Sequence, residues 1–179
     1  MKSILALCVT LILLTACAGT PTPVAPVDLL ILSPQGVAPE KDTVGFNVLV
    51  RNVTQAFAAE LLPALQSAGL TYRNVLDQQP GQGLGEKLAI HSVRNGARQV
   101  ILLTVEVVSV DDDEQLQLQA QFIEQEFTQE KGVVSGVKAV SVLTRSYRLR
   151  GSRSGDNPAS IDELAADYVA YLQGQKRLR

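Results

Sequence analysis

The alternation of apolar and polar residues divides the chain into helical and extended segments. Between residues 43 and 68, apolar side chains recur at steps of three and four, the spacing of one buried helix face. The members of this stripe are Phe46, Val50, Val53, Phe57, Leu61, Ala64 and Ala68. We predict one long helix over residues 43–68, bent near Pro63 and ended by Gly69. Residues 44–52 also alternate like a strand, so Asn52 could instead cap a shorter helix.

Two further helices are predicted. After the glycine-rich loop DQQPGQGLG, a helix runs to about Asn95, with Leu84, Leu88 and Val93 on its inward face and Gly96 as its end. Near the C-terminus, Ser160 and Glu163 have the spacing of a capping box, which predicts the start of a closing helix. That helix is expected to bury Ile161, Leu164, Ala165, Tyr168 and Leu172.

Five extended segments complete the pattern. Short strands are predicted at residues 29–32 and 71–76, and a near-continuous β-branched run at 100–110 predicts a buried central strand. In the next segment Leu116, Leu118, Ala120 and Phe122 alternate with glutamines, which predicts one packed and one solvated face. The Phe122-Ile123 pair breaks this alternation and suggests a bulge. Residues 137–150 form the last predicted strand.

The resulting order is β-α-β-α-β-β-β-α. This order predicts an α+β fold with a mixed sheet and helices packed largely on one face. The elements run without a second linker, so residues 28–179 are expected to form a single domain.

Three stretches resemble a group of envelope lipoprotein domains: the N-terminal domain of TolB, the curli-secretion protein CsgG and the penicillin-binding-protein activator LpoB. The stretches are FAAELLPALQSAGLTYRNV, KLAIHSVRNGARQVILLTVEVV, and RSYRLRG followed by SIDELAADYVAYL. The auxiliary lipoproteins of ABC-type lipid-transport systems share a similar closing hairpin and helix. Both resemblances imply docking to a partner rather than turnover. The long insertions with which CsgG builds a pore are absent from this sequence, so pore formation is not implied.

The N-terminal residues are typical of a lipoprotein signal. Lys2 precedes an apolar run over residues 4–14, which is shorter than the roughly 20 residues that span a bilayer. The run ends in Leu-Thr-Ala-Cys, which resembles a lipobox and predicts cleavage after residue 16 with lipid on Cys17. In lipoproteins of this type Ala18, in place of an aspartate, favours the outer membrane. Residues 17–27 are rich in proline and small residues and predict an extended tether.

Composition narrows the possible functions of the mature chain. Cys8 is lost with the signal and Cys17 carries lipid, so no thiol is left for a disulfide or a nucleophile. Loss of Lys2 changes the formal net charge from −2 to −3, and the chain has no tryptophan. A weak charge and few aromatic residues argue against nucleic-acid binding.

No candidate catalytic or metal site survives comparison with the known patterns. His91 is the only histidine, so the usual zinc ligand set is missing, and we interpret it as a surface or boundary residue. The glycines in GQGLGE match neither phosphate-binding loop, and Glu86 would repel a phosphate. The acidic run over residues 111–114 lacks the spacing of a calcium loop and is interpreted as a turn. We therefore expect no cofactor.

Two surfaces remain as candidates. Arginines and lysines are frequent in the C-terminal third, and Arg148 and Arg150 are expected to share one strand face that could contact anionic lipid or an acidic partner. The glutamines at 115, 117, 119 and 121 form a polar, uncharged strand face. This face suits either plain solvation or a recognition surface.

Three functional hypotheses follow. The first is an outer-membrane lipoprotein that docks on an envelope assembly or maintenance machine, anchored through Cys17 and facing the periplasm. The second is an auxiliary lipoprotein of lipid transport, which predicts a hydrophobic groove under the long helix at Phe46, Phe57 and Leu61. The third is a cell-wall hydrolase, which needs paired carboxylates in a cleft and has the least support.

Overall fold

A computed structural model of the protein describes residues 24–34, 43–77, 82–110, 113–131, 133–149 and 160–178. Within these ranges five strands and three helices follow each other in the order predicted from the sequence. The strands are β1 (Leu29–Pro34), β2 (Tyr72–Asp77), β3 (Gln99–Val110), β4 (Asp113–Glu130) and β5 (Val133–Arg148). The helices are α1 (Thr43–Ser67), α2 (Leu84–Asn95) and α3 (Ile161–Gly174). The predicted signal segment 1–16 lies outside the described residues.

One mixed sheet lies at the centre of the fold, in the strand order β2-β1-β3-β4-β5. β1 is parallel to both β2 and β3, and all of its residues are buried between these two neighbours. β3 pairs antiparallel with β4, and β4 pairs antiparallel with β5. The predicted α+β class with a mixed sheet is therefore confirmed.

The direction of the connections decides which face of the sheet each helix covers. The chain moves from β1 to β2 on one side and then returns past β1 to β3 on the other side. Because parallel crossovers are right-handed, two connections in opposite directions place α1 and α2 on opposite faces. α1 and α3 pack on the face that carries Leu29 and Ile31, which we call the front face. Leu88 of α2 packs on the back face with Leu30 and Leu32, so two of the three helices share a face.

The long helix α1 covers the front face with the apolar stripe that the sequence predicts. It begins at Thr43, so residues 44–52 are helical and the strand alternative is wrong. Phe46, Phe57 and Leu61 are buried in the front core, where each contributes about 1.5–3 kcal/mol of hydrophobic stabilisation. These three side chains thus fill the space in which a lipid groove was expected.

Helix α2 buries a polar face, contrary to the prediction. It ends at Gly96, whose φ of 62° is the left-handed conformation that glycine adopts readily. Of the three residues predicted to face inward, only Leu88 packs in the back core, whereas Leu84 and Val93 are 46% and 40% exposed. The buried residues of the helix are Lys87, Ser92 and Asn95.

Strand β4 departs from regular pairing later than the sequence predicts. Phe122 and Ile123 pair in register with both neighbouring strands, so the bulge predicted at this pair is wrong. Both side chains are apolar because Phe122 faces the front core and Ile123 faces the back core beneath α2. The two shifts of register against β5 follow Glu124 and Thr128.

Candidate binding surfaces

The basic residues predicted as a surface do not form one patch among the described residues. Arg148 is the last residue of β5 and is exposed on the back face. Arg145 is paired with Ala120 of the front core and therefore faces the other side of the sheet. Arg177 forms an ion pair of 2.8 Å with Glu124. Arg150 and Cys17 lie outside the described residues.

On the front face, β5 and α3 are joined by a small polar and aromatic network. The hydroxyl group of Tyr147 donates a hydrogen bond of 2.8 Å to Oδ2 of Asp167. Burial, together with this bond to a carboxylate, raises the pKa of Tyr147. The guanidinium group of Arg145 lies 4.4 Å from the ring centre of Tyr171, in a cation–π contact. These contacts attach the closing helix to the sheet.

The back face of β3, β4 and β5 carries a polar surface at the end remote from α2, which we call the glutamine platform. Its centre is formed by Gln117, Gln119 and Gln121 of β4. Residues directly opposite each other in a sheet point to the same face, so the register identifies the neighbours of these glutamines. Those neighbours are Thr104 and Glu106 on β3, and Thr144, Ser146 and Arg148 on β5. Leu102, opposite Gln121, is buried in the back core and ends the polar surface on that side.

The platform offers hydrogen-bonding groups with little charge. The three glutamines are half-buried, while Thr144 and Ser146 are exposed at the side of β5. The Nε2 group of Gln121 donates a hydrogen bond of 2.9 Å to Oε1 of Gln119, which aligns the two amides along the strand. Amides both donate and accept hydrogen bonds, so the surface can recognise backbone or side-chain polar groups of another protein.

A buried polar cluster lies at the carboxyl end of β2, and the sequence interpretation missed it. Asp77 ends β2, and its Oδ1 lies 3.5 Å from Nζ of Lys87. The other oxygen, Oδ2, lies 3.0 Å from Nε2 of His91. Lys87 and His91 are four residues apart on α2 and so share one helix face. His91 is half-buried, as expected of a boundary residue.

The cluster explains which side of α2 is buried. A buried carboxylate needs compensating charge and hydrogen bonds, and Lys87 supplies the opposite charge. Ser92 is also buried, but its Oγ has no hydrogen-bond partner among the described residues, so it is not paired with His91 as a nucleophile would be. A pair of polar residues at i and i+4, following an acidic residue at a strand end, is the sequence signal that could have revealed the cluster.

Two grooves are lined by described residues. One has a volume of about 280 Å³ and lies at the start of α1, between Pro34, Val44 and Leu76. The other, of about 450 Å³, lies between Ile90 and Val93 of α2 and the first residues of β5. In the described part of the chain, no group of three histidine, cysteine or acidic residues is arranged to hold a metal ion. Likewise, none of the described helices has the length and apolar character required to cross a bilayer.

Comparison with known proteins does not place the chain in a family. No protein-family model matches it, and a search of curated protein sequences finds no similar protein.

Proposed function

We propose that this protein is a lipid-anchored accessory module of the bacterial cell envelope, which docks a protein partner without catalysing a reaction. The lipobox-like sequence ending at Cys17 supports the anchor, and Ala18 favours the outer membrane with the domain in the periplasm. The observation that carries the docking function is the glutamine platform, a sheet face of mostly uncharged polar side chains that no described helix covers.

A platform centred on amides suits docking because amides lose less free energy on leaving water than charged groups do. Interface cores are accordingly depleted in charged residues, whereas their rims are polar. The only charged residues of the platform, Glu106 and Arg148, lie on the outer strands on either side of Gln117. Because Glu106 and Arg148 carry opposite charges, a partner with complementary charges would bind in one orientation.

The size of the platform indicates how firmly a partner is held. Three adjacent strands span about 10 Å, and the segment from Gln115 to Gln121 spans about 20 Å along them. The resulting footprint of roughly 200 Å² is well below the roughly 800 Å² that each partner contributes to a stable interface. We therefore expect a transient contact, or one that extends over the outer edge of β5.

The docking function is tested by site-specific crosslinking in cells. A photo-reactive amino acid at Ser146, exposed on the platform, is compared with the same probe at Glu60, exposed on α1 at the front of the molecule. We expect one dominant envelope protein to be captured from position 146 and not from position 60. Capture of the same proteins at both positions, or of none at position 146, would argue against docking through this face.

The anchor is tested separately. Cells labelled with radioactive palmitate should incorporate label into the wild-type protein and not into a Cys17→Ser variant. A labelled Cys17→Ser variant, or an unlabelled wild-type protein, would contradict lipidation at this residue.

A further inference from the structure

The tether enters the domain at a defined place. The N–H group of Val27 donates a hydrogen bond of 3.0 Å to the carbonyl oxygen of Asn95, at the end of α2. The next residue, Asp28, accepts hydrogen bonds from both the N–H and the hydroxyl group of Thr71, at 2.8 and 2.6 Å. The chain therefore reaches the sheet at the end where β1, β2 and β3 begin, which we call the tether pole.

The hairpin of β4 and β5 projects from the same pole. Leu29 is in register with Gln99, and Gln99 is in register with Glu124, so these residues mark one level of the sheet. β4 continues for six residues beyond this level, to Glu130, which corresponds to about 20 Å. Val27 lies two residues beyond it, or about 7 Å. The tip of the hairpin thus extends about 13 Å further than the point where the tether is bound.

The projecting tip carries an apolar surface. Val133, the first residue of β5, is 69% exposed, the highest value among the described valines outside α1. Val134 and Val137 follow it and line the 450 Å³ groove together with Ile90 and Val93 of α2. Val133 is in register with Glu130 and Val134 with Gln129, so Val133 faces the opposite side of the hairpin from the groove. The hairpin end thus exposes apolar side chains on both faces, which suits contact with a non-polar phase.

The charges near the tip nearly cancel each other. Glu126 is in register with Lys138 on the neighbouring strand, and Glu130 directly precedes Lys131 in the turn. These two acidic and two basic groups balance each other, and Arg94 of α2, which lines the groove, adds one positive charge. The valines and a weak attraction to anionic headgroups therefore act together at the tip.

We propose that the hairpin tip is a second contact with the bilayer, beside the lipid on Cys17. This inference rests on the proposed anchor. Cys17 lies ten residues before Val27, and ten extended residues reach up to about 33 Å. This reach exceeds the roughly 13 Å by which the hairpin tip extends beyond Val27. The tip therefore touches the membrane surface before the tether is taut. The start of α1, at the opposite pole, faces away from the membrane. The glutamine platform lies between the two poles, on strands that run from one pole to the other.

The absence of tryptophan from the chain allows a direct test with single-tryptophan variants. Val133→Trp places the probe at the tip, and Val44→Trp is the matched control, because Val44 is 78% exposed at the opposite pole. Both full-length lipidated variants are reconstituted into vesicles of phosphatidylethanolamine and phosphatidylglycerol that contain lipid brominated near the headgroup end of its acyl chains. Interfacial segments enter only about 5–10 Å, so this bromine position is the appropriate quencher.

We expect the emission of Val133→Trp to shift to the blue and to lose intensity with brominated lipid, and that of Val44→Trp to do neither. Lipidated protein in which the two probes behave alike would overturn the second contact. This result would not affect the proposed docking function, since that function is tested separately by crosslinking at Ser146. Protein that carries no lipid on Cys17 would overturn both the anchor and this inference.

Discussion

Replacing Lys87 by methionine removes the ammonium group that faces the buried carboxylate of Asp77. The two groups are 3.5 Å apart and both side chains are buried. Removing one partner of a buried ion pair costs about 3–5 kcal/mol, because the other charge stays in a medium of low polarity. His91 keeps its 3.0 Å contact with the carboxylate, so we expect the lower end of this range, a loss of about 3 kcal/mol in the free energy of unfolding.

Urea unfolding followed by far-UV circular dichroism measures this loss, and thermal unfolding provides a second reading. For a domain of this size, about 3 kcal/mol corresponds to a decrease in Tm of roughly 6–12 °C. The matched control is Lys138→Met, the same substitution at an exposed position of β5. We expect it to change the free energy of unfolding by less than about 0.5 kcal/mol.

A double variant distinguishes the electrostatic cost of removing the lysine charge from the cost of losing the packing contacts of its side chain. If the cost of Lys87→Met comes from the loss of the positive charge beside the carboxylate, adding Asp77→Asn should restore part of the stability. A double variant that is less stable than Lys87→Met alone would refute this reasoning. The loss would then come from the contacts of the lysine side chain, and the ion pair would not explain why α2 buries its polar face.

Three further variants test local features of the fold. Tyr168→Phe removes a buried hydroxyl that has no hydrogen-bond partner among the described residues, so urea unfolding should show a gain of about 1 kcal/mol; a loss would mean that the hydroxyl is bonded. Gly96→Ala should cost more than about 1 kcal/mol, because φ is 62° and the added Cβ would lie 2.9 Å from Cβ of Pro26; an unchanged Tm would contradict this. Hydrogen bonds from Thr71 lower the pKa of Asp28, so its stabilisation is complete above the ordinary pKa of about 4 and is lost as the pH falls through the lowered value. Asp28→Asn should therefore lose less stability than the wild type between neutral and acid pH, and urea-unfolding profiles that run parallel would exclude this contribution.

The sequence predicted the order of elements well because most of them have a clear hydrophobic period. The stripe through Phe46, Val50 and Phe57 is long enough to outweigh the short alternation that suggests a strand, and the helix includes the whole of that alternation. The alternation of apolar residues and glutamines in β4 likewise gave the correct faces, with Leu118 in the core and Gln119 on the platform.

The errors occur where a contact made through the fold outweighs the local pattern. In α2 the apolar Leu84 and Val93 were assigned to the core, but the carboxylate of Asp77 draws Lys87 inward instead. That carboxylate belongs to β2, so the pattern of apolar and polar residues within the helix does not indicate its presence. Similarly, the Phe122-Ile123 pair suggests a bulge because sequence alone does not show that α2 packs near Ile123 on the back face.

The tether leads directly into β1, the strand that lies between β2 and β3. A pull on the N-terminus therefore acts along a strand that is hydrogen-bonded on both sides, and both ladders are loaded in shear along their whole length. An edge strand pulled from its end would instead lose its bonds one pair at a time. With the proposed anchor at Cys17, a load on the N-terminus would therefore meet two ladders in shear at the same time.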